Sequence, residues 1–139
     1  MRHLIAAVIL ALPLPAVLPT AAAELVMVEQ PGCAYCRAWD NDVSEEYPKT
    51  AEGRAAPLVR VQLSTVNDGP LTLARPVNFT PTFLLVEDGT ELARIEGYPG
   101  EDFFWGLLGM MLKAQGIEMD TPDTGTPDTD TTAPDLLDG

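Results

Sequence analysis

The stretch Leu25-Val26-Met27-Val28-Glu29-Gln30-Pro31-Gly32-Cys33-Ala34-Tyr35-Cys36-Arg37-Ala38-Trp39 decides how the chain is read. Four consecutive apolar residues, Leu25 to Val28, predict a buried strand. Pro31-Gly32 ends it. The run from Cys33 to Glu46 then continues without a breaker until Pro48, which predicts a helix beginning at or near Cys33. A strand that turns through a cysteine pair into a helix puts the pair at the helix start, where unpaired N–H groups and the positive dipole end stabilise a thiolate on Cys33. Residues three apart share a helix face, so Cys33 and Cys36 can close a disulfide.

A CxxC pair alone has four readings: half a zinc site, a haem attachment motif, a structural disulfide or a redox centre. The chain has two cysteines and one histidine. Structural zinc wants four ligands, and His3 belongs to an N-terminal segment expected to be removed, so no metal is expected. Haem attachment needs a histidine directly after the second cysteine, where Arg37 stands. A structural disulfide stays open but is weakened, because a bridge across two residues constrains the unfolded chain little. The favoured reading is a redox centre in which Cys33 attacks and Cys36 resolves the mixed disulfide. With no histidine expected in the mature chain, protons must be handled by carboxylates, water or the thiols themselves.

The N-terminus begins Met1-Arg2-His3, runs apolar from Leu4 to about Leu18, and reaches Ala21-Ala22-Ala23 before the first acid, Glu24. That pattern predicts a secretory signal peptide over 1–23. Pro13, Pro15 and Pro19 interrupt the run and argue against an uncleaved span. The expected product is periplasmic, and its size allows one small domain, 24–119. After Met119 the chain carries six acidic residues, no basic one and TPDT-like repeats. Such a composition predicts a disordered acidic Thr/Pro/Asp tail over 120–139. The formal net charge is −13, and the expected domain is itself acidic, which disfavours nucleic acid as a partner.

Downstream, Leu58 to Leu63 predicts a second strand and Thr82 to Val86 a third. Asp88-Gly89 predicts a tight hairpin into a fourth strand, Glu91 to Ile95. Between the second strand and the hairpin only a short connection is expected. A final helix is expected from Glu101 to Gln115, with acids in its first turn and Gly116 at its end. Phe103, Leu107 and Met111, at i, i+4 and i+8, are its expected core stripe. The order strand, helix, strand, connection, hairpin, helix predicts an α/β fold with a mixed four-stranded sheet and helices packed over it.

Three features carry a resemblance to the thioredoxin superfamily across most of 24–115: CAYC at a strand-to-helix junction, Thr80-Pro81-Thr82 opening a strand, and Gly97-Tyr98 before the last helix. The resemblance implies a minimal thioredoxin fold and thiol–disulfide exchange without a cofactor. It also implies a cis bond at Pro81, with the Pro81 loop facing the cysteines and Thr80 offering backbone groups to a substrate strand. Only an X-Pro bond makes cis accessible, at about 0.5–1 kcal/mol. More narrowly, EQPGCAYCRAWD with EEYPKTAEGRAAPLVRV is similar to the small periplasmic thioredoxin-like proteins of the SoxS type associated with sulfur-oxidation (Sox) systems. That likeness implies a reductant for an exported partner protein, fed by an upstream electron donor for which a membrane-bound protein is a candidate.

Departures from the common pattern matter for the chemistry. The buried aspartate expected six residues before the first cysteine is Met27, which leaves proton transfer at Cys36 unassigned. Glu29 is the nearest carboxylate in sequence, with an exposed strand-end glutamate as the plainer alternative. Tyr35, between the cysteines, is the candidate for tuning the thiols and touching the partner. Arg37 is a candidate for added positive potential at Cys33, and Trp39 reads as packing. Two other functions remain open: a disulfide oxidase or isomerase, whose direction depends on potential, and a non-catalytic, redox-switched adaptor or regulator.

Overall fold

The computed structural model describes residues 22–120. The expected signal peptide and acidic tail therefore lie, apart from their inner ends, outside the described residues. Four strands are present: β1 (Glu24–Glu29), β2 (Leu58–Gln62), β3 (Thr82–Glu87) and β4 (Thr90–Glu96). They form one sheet in the order β2-β1-β3-β4. β1 pairs parallel with β2 and antiparallel with β3, and β3 pairs antiparallel with β4. The sheet is mixed, as expected.

β1 and β3 occupy the centre, which is why both are apolar on both faces. Leu25, Met27, Phe83 and Leu85 face one cluster with Trp39, Phe104 and Leu108. Val26, Val28, Leu84 and Val86 face a second, smaller cluster with Val66 and Val77. Ala23, one residue before the expected domain start, already belongs to the first cluster, at 4 % exposed. At the hairpin, Asp88 has φ 50° and Gly89 has φ 72°. Positive φ at both central residues is what a two-residue hairpin turn of right-handed twist demands, and Asp-Gly supplies it.

Helices α1 (Ala34–Asp42), α2 (Ala51–Ala55), α3 (Leu63–Val66) and α4 (Glu101–Ala114) complete the fold. α1 stops four residues short of the expected Glu46. Asn41, Asp42 and Ser44 are weak helix formers, and the chain turns at Val43, whose N–H bonds back to the Trp39 carbonyl. That turn brings Tyr47 into the core, where its hydroxyl donates to the Ala56 carbonyl at 2.7 Å. Burial, with the nearby Glu52 charge added, holds this phenol protonated far above its usual range.

Two further expectations need correction. The connection after β2 is not short: it runs from 63 to 81 and contains α3, a one-turn helix too brief to show periodicity. The core stripe of α4 is Phe104, Leu108, Met111 and Leu112, whereas Phe103 is 71 % and Leu107 37 % exposed. FFWGLLGMML is apolar nearly all round, so a period of 3.6 fits two faces equally and only the sheet chooses between them.

Glycines in these helices test the packing in opposite directions. A Cβ on Gly53 would sit 1.8 Å from the Tyr47 carbonyl oxygen, while one on Gly109 would meet nothing within 4 Å. Gly53→Ala is expected to cost about 1–3 kcal/mol through overpacking. Gly109→Ala is expected to gain up to about 1 kcal/mol from helix propensity. Thermal unfolding of the two variants checks both signs, and equal effects would contradict the close approach at Gly53.

Candidate active site

β1 delivers the chain to the site, and Gly32, at φ 80°, turns it into α1. Cys33 is the N-cap of α1, in extended conformation, with its N–H on the Gln30 carbonyl at 3.2 Å. Its Sγ accepts the Cys36 N–H at 3.1 Å. A sulfur in the N-cap position faces the unpaired amides of the first turn. The first turn also carries no acidic residue. Cys33 and Cys36 are joined as a disulfide, with Cα atoms 5.3 Å apart. Cys33 is partly exposed and Cys36 only 5 % exposed.

The Thr80–Pro81 bond is cis. Two hydrogen bonds hold this loop against its neighbours: Gln30 Nε2 donates to Thr80 Oγ1 at 2.9 Å, and the Gly97 N–H donates to the Pro81 carbonyl at 2.8 Å. The first ties the Pro81 loop to the turn that carries Cys33. Nothing local marks Gln30 for this task, since its partner lies 50 residues away.

Tyr35 stands 65 % exposed beside a cavity of about 470 Å³ shared with Glu96, Gly97, Tyr98 and Pro99. Tyr98 donates to Asp42 at 2.9 Å, which joins α1 to the segment before α4. Burial and this hydrogen bond raise the Tyr98 phenol above its usual range. On the other side, Cys33, Cys36, Arg37 and Asp40 border a cavity of about 270 Å³ with Glu29 and Gln62.

Glu29 lies at this second cavity and is not free. Its carboxylate accepts from Arg60 at 2.7 Å and from Gln62 at 3.2 Å, and Arg60 reaches Asp40 as well. The Arg60 guanidinium also lies 5.5 Å from the centre of the Trp39 ring. The sequence reading overlooked this Glu29–Arg60–Asp40 cluster, because its members come from β1, β2 and α1. Met27 is fully buried in the core, so no acid lies at that position behind the cysteines. Among the described residues, no group of three or more His, Cys, Asp or Glu could hold a metal ion.

A partly exposed sulfur at a helix start, joined to a buried one a turn inward, defines a thiol–disulfide oxidoreductase. The sequence profile of the thioredoxin-like domain matches residues 19–111, and the chain belongs to that family. Its fold is similar to the crystal structure of the periplasmic thioredoxin SoxS from Paracoccus pantotrophus in reduced form, with a TM-score of 0.64 and 50% sequence identity. That match covers 67% of this chain and 98% of the other. No curated protein matches the chain. The family and the similar structure agree with the resemblance read from CAYC, Thr80-Pro81-Thr82 and Gly97-Tyr98.

Proposed function

We propose that the protein works in the periplasm as a reductant of a disulfide or capped thiol on an exported partner, with Cys33 as nucleophile and Cys36 as resolving thiol. The observation that carries this reading is the asymmetry of the pair: Cys33 is the more exposed sulfur and caps α1, while Cys36 is almost fully buried. The Cys33 thiolate attacks one partner sulfur, forms a mixed disulfide and expels the other partner sulfur as a thiolate. Cys36, as thiolate, then attacks Cys33 Sγ, which forms the internal disulfide and releases the second partner sulfur. Two electrons pass to the partner, and the protons lost by the two cysteines equal those its thiols take up. An upstream donor must then reduce the protein again.

In this reading Thr80, before Pro81, offers backbone groups to the substrate strand, Pro81 lines the same substrate-binding loop, and Tyr35 touches the partner. Arg37 borders the cavity at Cys33 and adds positive potential there. Glu29, held by Arg60, tunes the cavity beside Cys36. The likeness to a periplasmic thioredoxin and the N-terminal apolar run support export with removal of 1–23. The same likeness makes a component of a sulfur-oxidation system the candidate partner. The acidic composition of 120–139 supports a catalytic unit confined to 24–119.

Two measurements on the purified mature protein test the reading. With the disulfide reduced, Cys33 is expected to alkylate at pH 7 at least about tenfold faster than Cys36, from its exposure and its place at a helix start. Equal rates would refute the assignment of roles. The reduction potential is expected toward the thioredoxin end, about −270 mV, and a value near −120 mV would instead assign a disulfide oxidase.

A further inference from the structure

The loop that leads to Pro81 is fastened at several points between Asn67 and Pro81. Thr72 exchanges backbone hydrogen bonds with Gly89 and Glu91, at 2.8 and 3.0 Å. The Ala74 N–H donates to Glu91, and Arg94 donates to the Arg75 carbonyl, at 2.8 and 2.7 Å. Burial would raise the Glu91 carboxyl, but hydrogen bonds from Arg94 and the Ala74 N–H outweigh it and hold the group ionised below its usual range. Val77 is buried, and its N–H and carbonyl are both satisfied by the Asn67 side chain, at 2.8 and 2.9 Å. The Phe79 carbonyl accepts from Thr82 Oγ1 at 2.8 Å, and Thr80 and Pro81 are held as described above.

Within this fastened loop the Phe79 ring is left 62 % exposed. It is the neighbour in the chain of Thr80, whose hydroxyl is bound by Gln30 in the turn that carries Cys33, and Tyr35, 65 % exposed, stands between the two cysteines in the chain. An aromatic held in solvent by a rigid backbone loses little further entropy when a partner covers it, which is the property of a binding hot spot. Neither ring has a role in holding the fold that its exposure would explain.

We propose that Phe79, together with Tyr35, is a specificity determinant that selects extended protein segments with apolar side chains beside the attacked disulfide, against polar ones. This deepens the reading of Cys33 as the attacking thiol and rests on it. The determinant acts on partner capture: an apolar side chain flanking the partner cysteine covers the Phe79 ring while the partner backbone lies along Thr80. Covering the exposed part of one phenylalanine amounts to about a tenfold preference.

The test uses the reduced mature protein and two peptides of equal length cyclised by the same disulfide, one with leucine and one with serine on either side of the attacked cysteine. Reduction rates are divided by those for dithiothreitol, which removes the intrinsic reactivity of each disulfide. The wild-type protein is expected to favour the leucine peptide about tenfold, Phe79→Leu to retain most of that ratio, and Phe79→Ser to bring it down to about threefold or less. An unchanged ratio in Phe79→Ser, or no preference in the wild type, overturns the proposal. A wild-type protein that reduces neither peptide overturns the underlying reading of Cys33 and the proposal with it.

Discussion

Cys36→Ser is expected to accumulate its partner as a mixed disulfide in periplasmic extracts, while Cys33→Ser accumulates almost nothing. The two sulfurs differ in access: Cys36 is 5 % exposed and Cys33 sits at the surface end of α1. Removing Cys36 leaves the first attack intact and deletes the thiol that would release the product. Removing Cys33 deletes the attack itself, so disulfide reduction should fall to the background of uncatalysed exchange, a loss of several orders of magnitude. Non-reducing electrophoresis followed by mass identification, with release by dithiothreitol, reads the outcome. A trapped component of a sulfur-oxidation system would bear out the proposed partner. Recovery of general folding factors alone would favour an oxidase or isomerase, and trapping by Cys33→Ser in place of Cys36→Ser would reverse the assigned roles.

Trp39→Ala should produce the largest loss of stability. The indole is fully buried and lies within 5.4 Å of the Phe83 ring, 5.7 Å of Phe104 and 6.1 Å of Tyr47, measured between ring centres. Its removal opens a cavity between α1, the sheet and α4 and should cost about 3–5 kcal/mol, a large share of the roughly 5–15 kcal/mol that holds a domain folded. Trp39→Phe should cost much less, since the indole N–H has no hydrogen-bond partner to lose. Urea titration of both variants measures the difference. A loss below about 1 kcal/mol for the alanine variant would mean that α1 is not anchored through this ring. Because α1 carries Cys36 and is capped by Cys33, the same variant should also blunt the difference in alkylation rate between them.

The α/β order, the hairpin at Asp88-Gly89 and the strand-to-helix passage at Cys33 were legible because each rests on short-range chemistry. A turn with two positive φ angles needs Asp-Gly or its like, a central strand is continuously apolar, and a CxxC pair followed by an unbroken run marks a helix start. The cis bond at Pro81 came from the resemblance carried by Thr80-Pro81-Thr82. The reach of α1 and the face of α4 were misread for a related reason: where a segment is weakly helical, or apolar all round, local pattern does not choose between alternatives of similar energy.

By itself, then, the sequence of this protein determined the order of its strands along the chain, the helices after Cys33 and from Glu101, its central strands and the place of its one cysteine pair, since those depend on residues a few positions apart, whereas the short helices α2 and α3 left no readable pattern. Only the tertiary structure decided that Phe104 rather than Phe103 enters the core, that Gln30 holds Thr80, that Arg60 joins Glu29 to Asp40, and that residues 63–81 form a fastened loop leaving Phe79 in solvent. These choices pair residues from different elements. Packing density and the need to satisfy buried polar groups select among them, and both operate only once the sheet has brought those elements together.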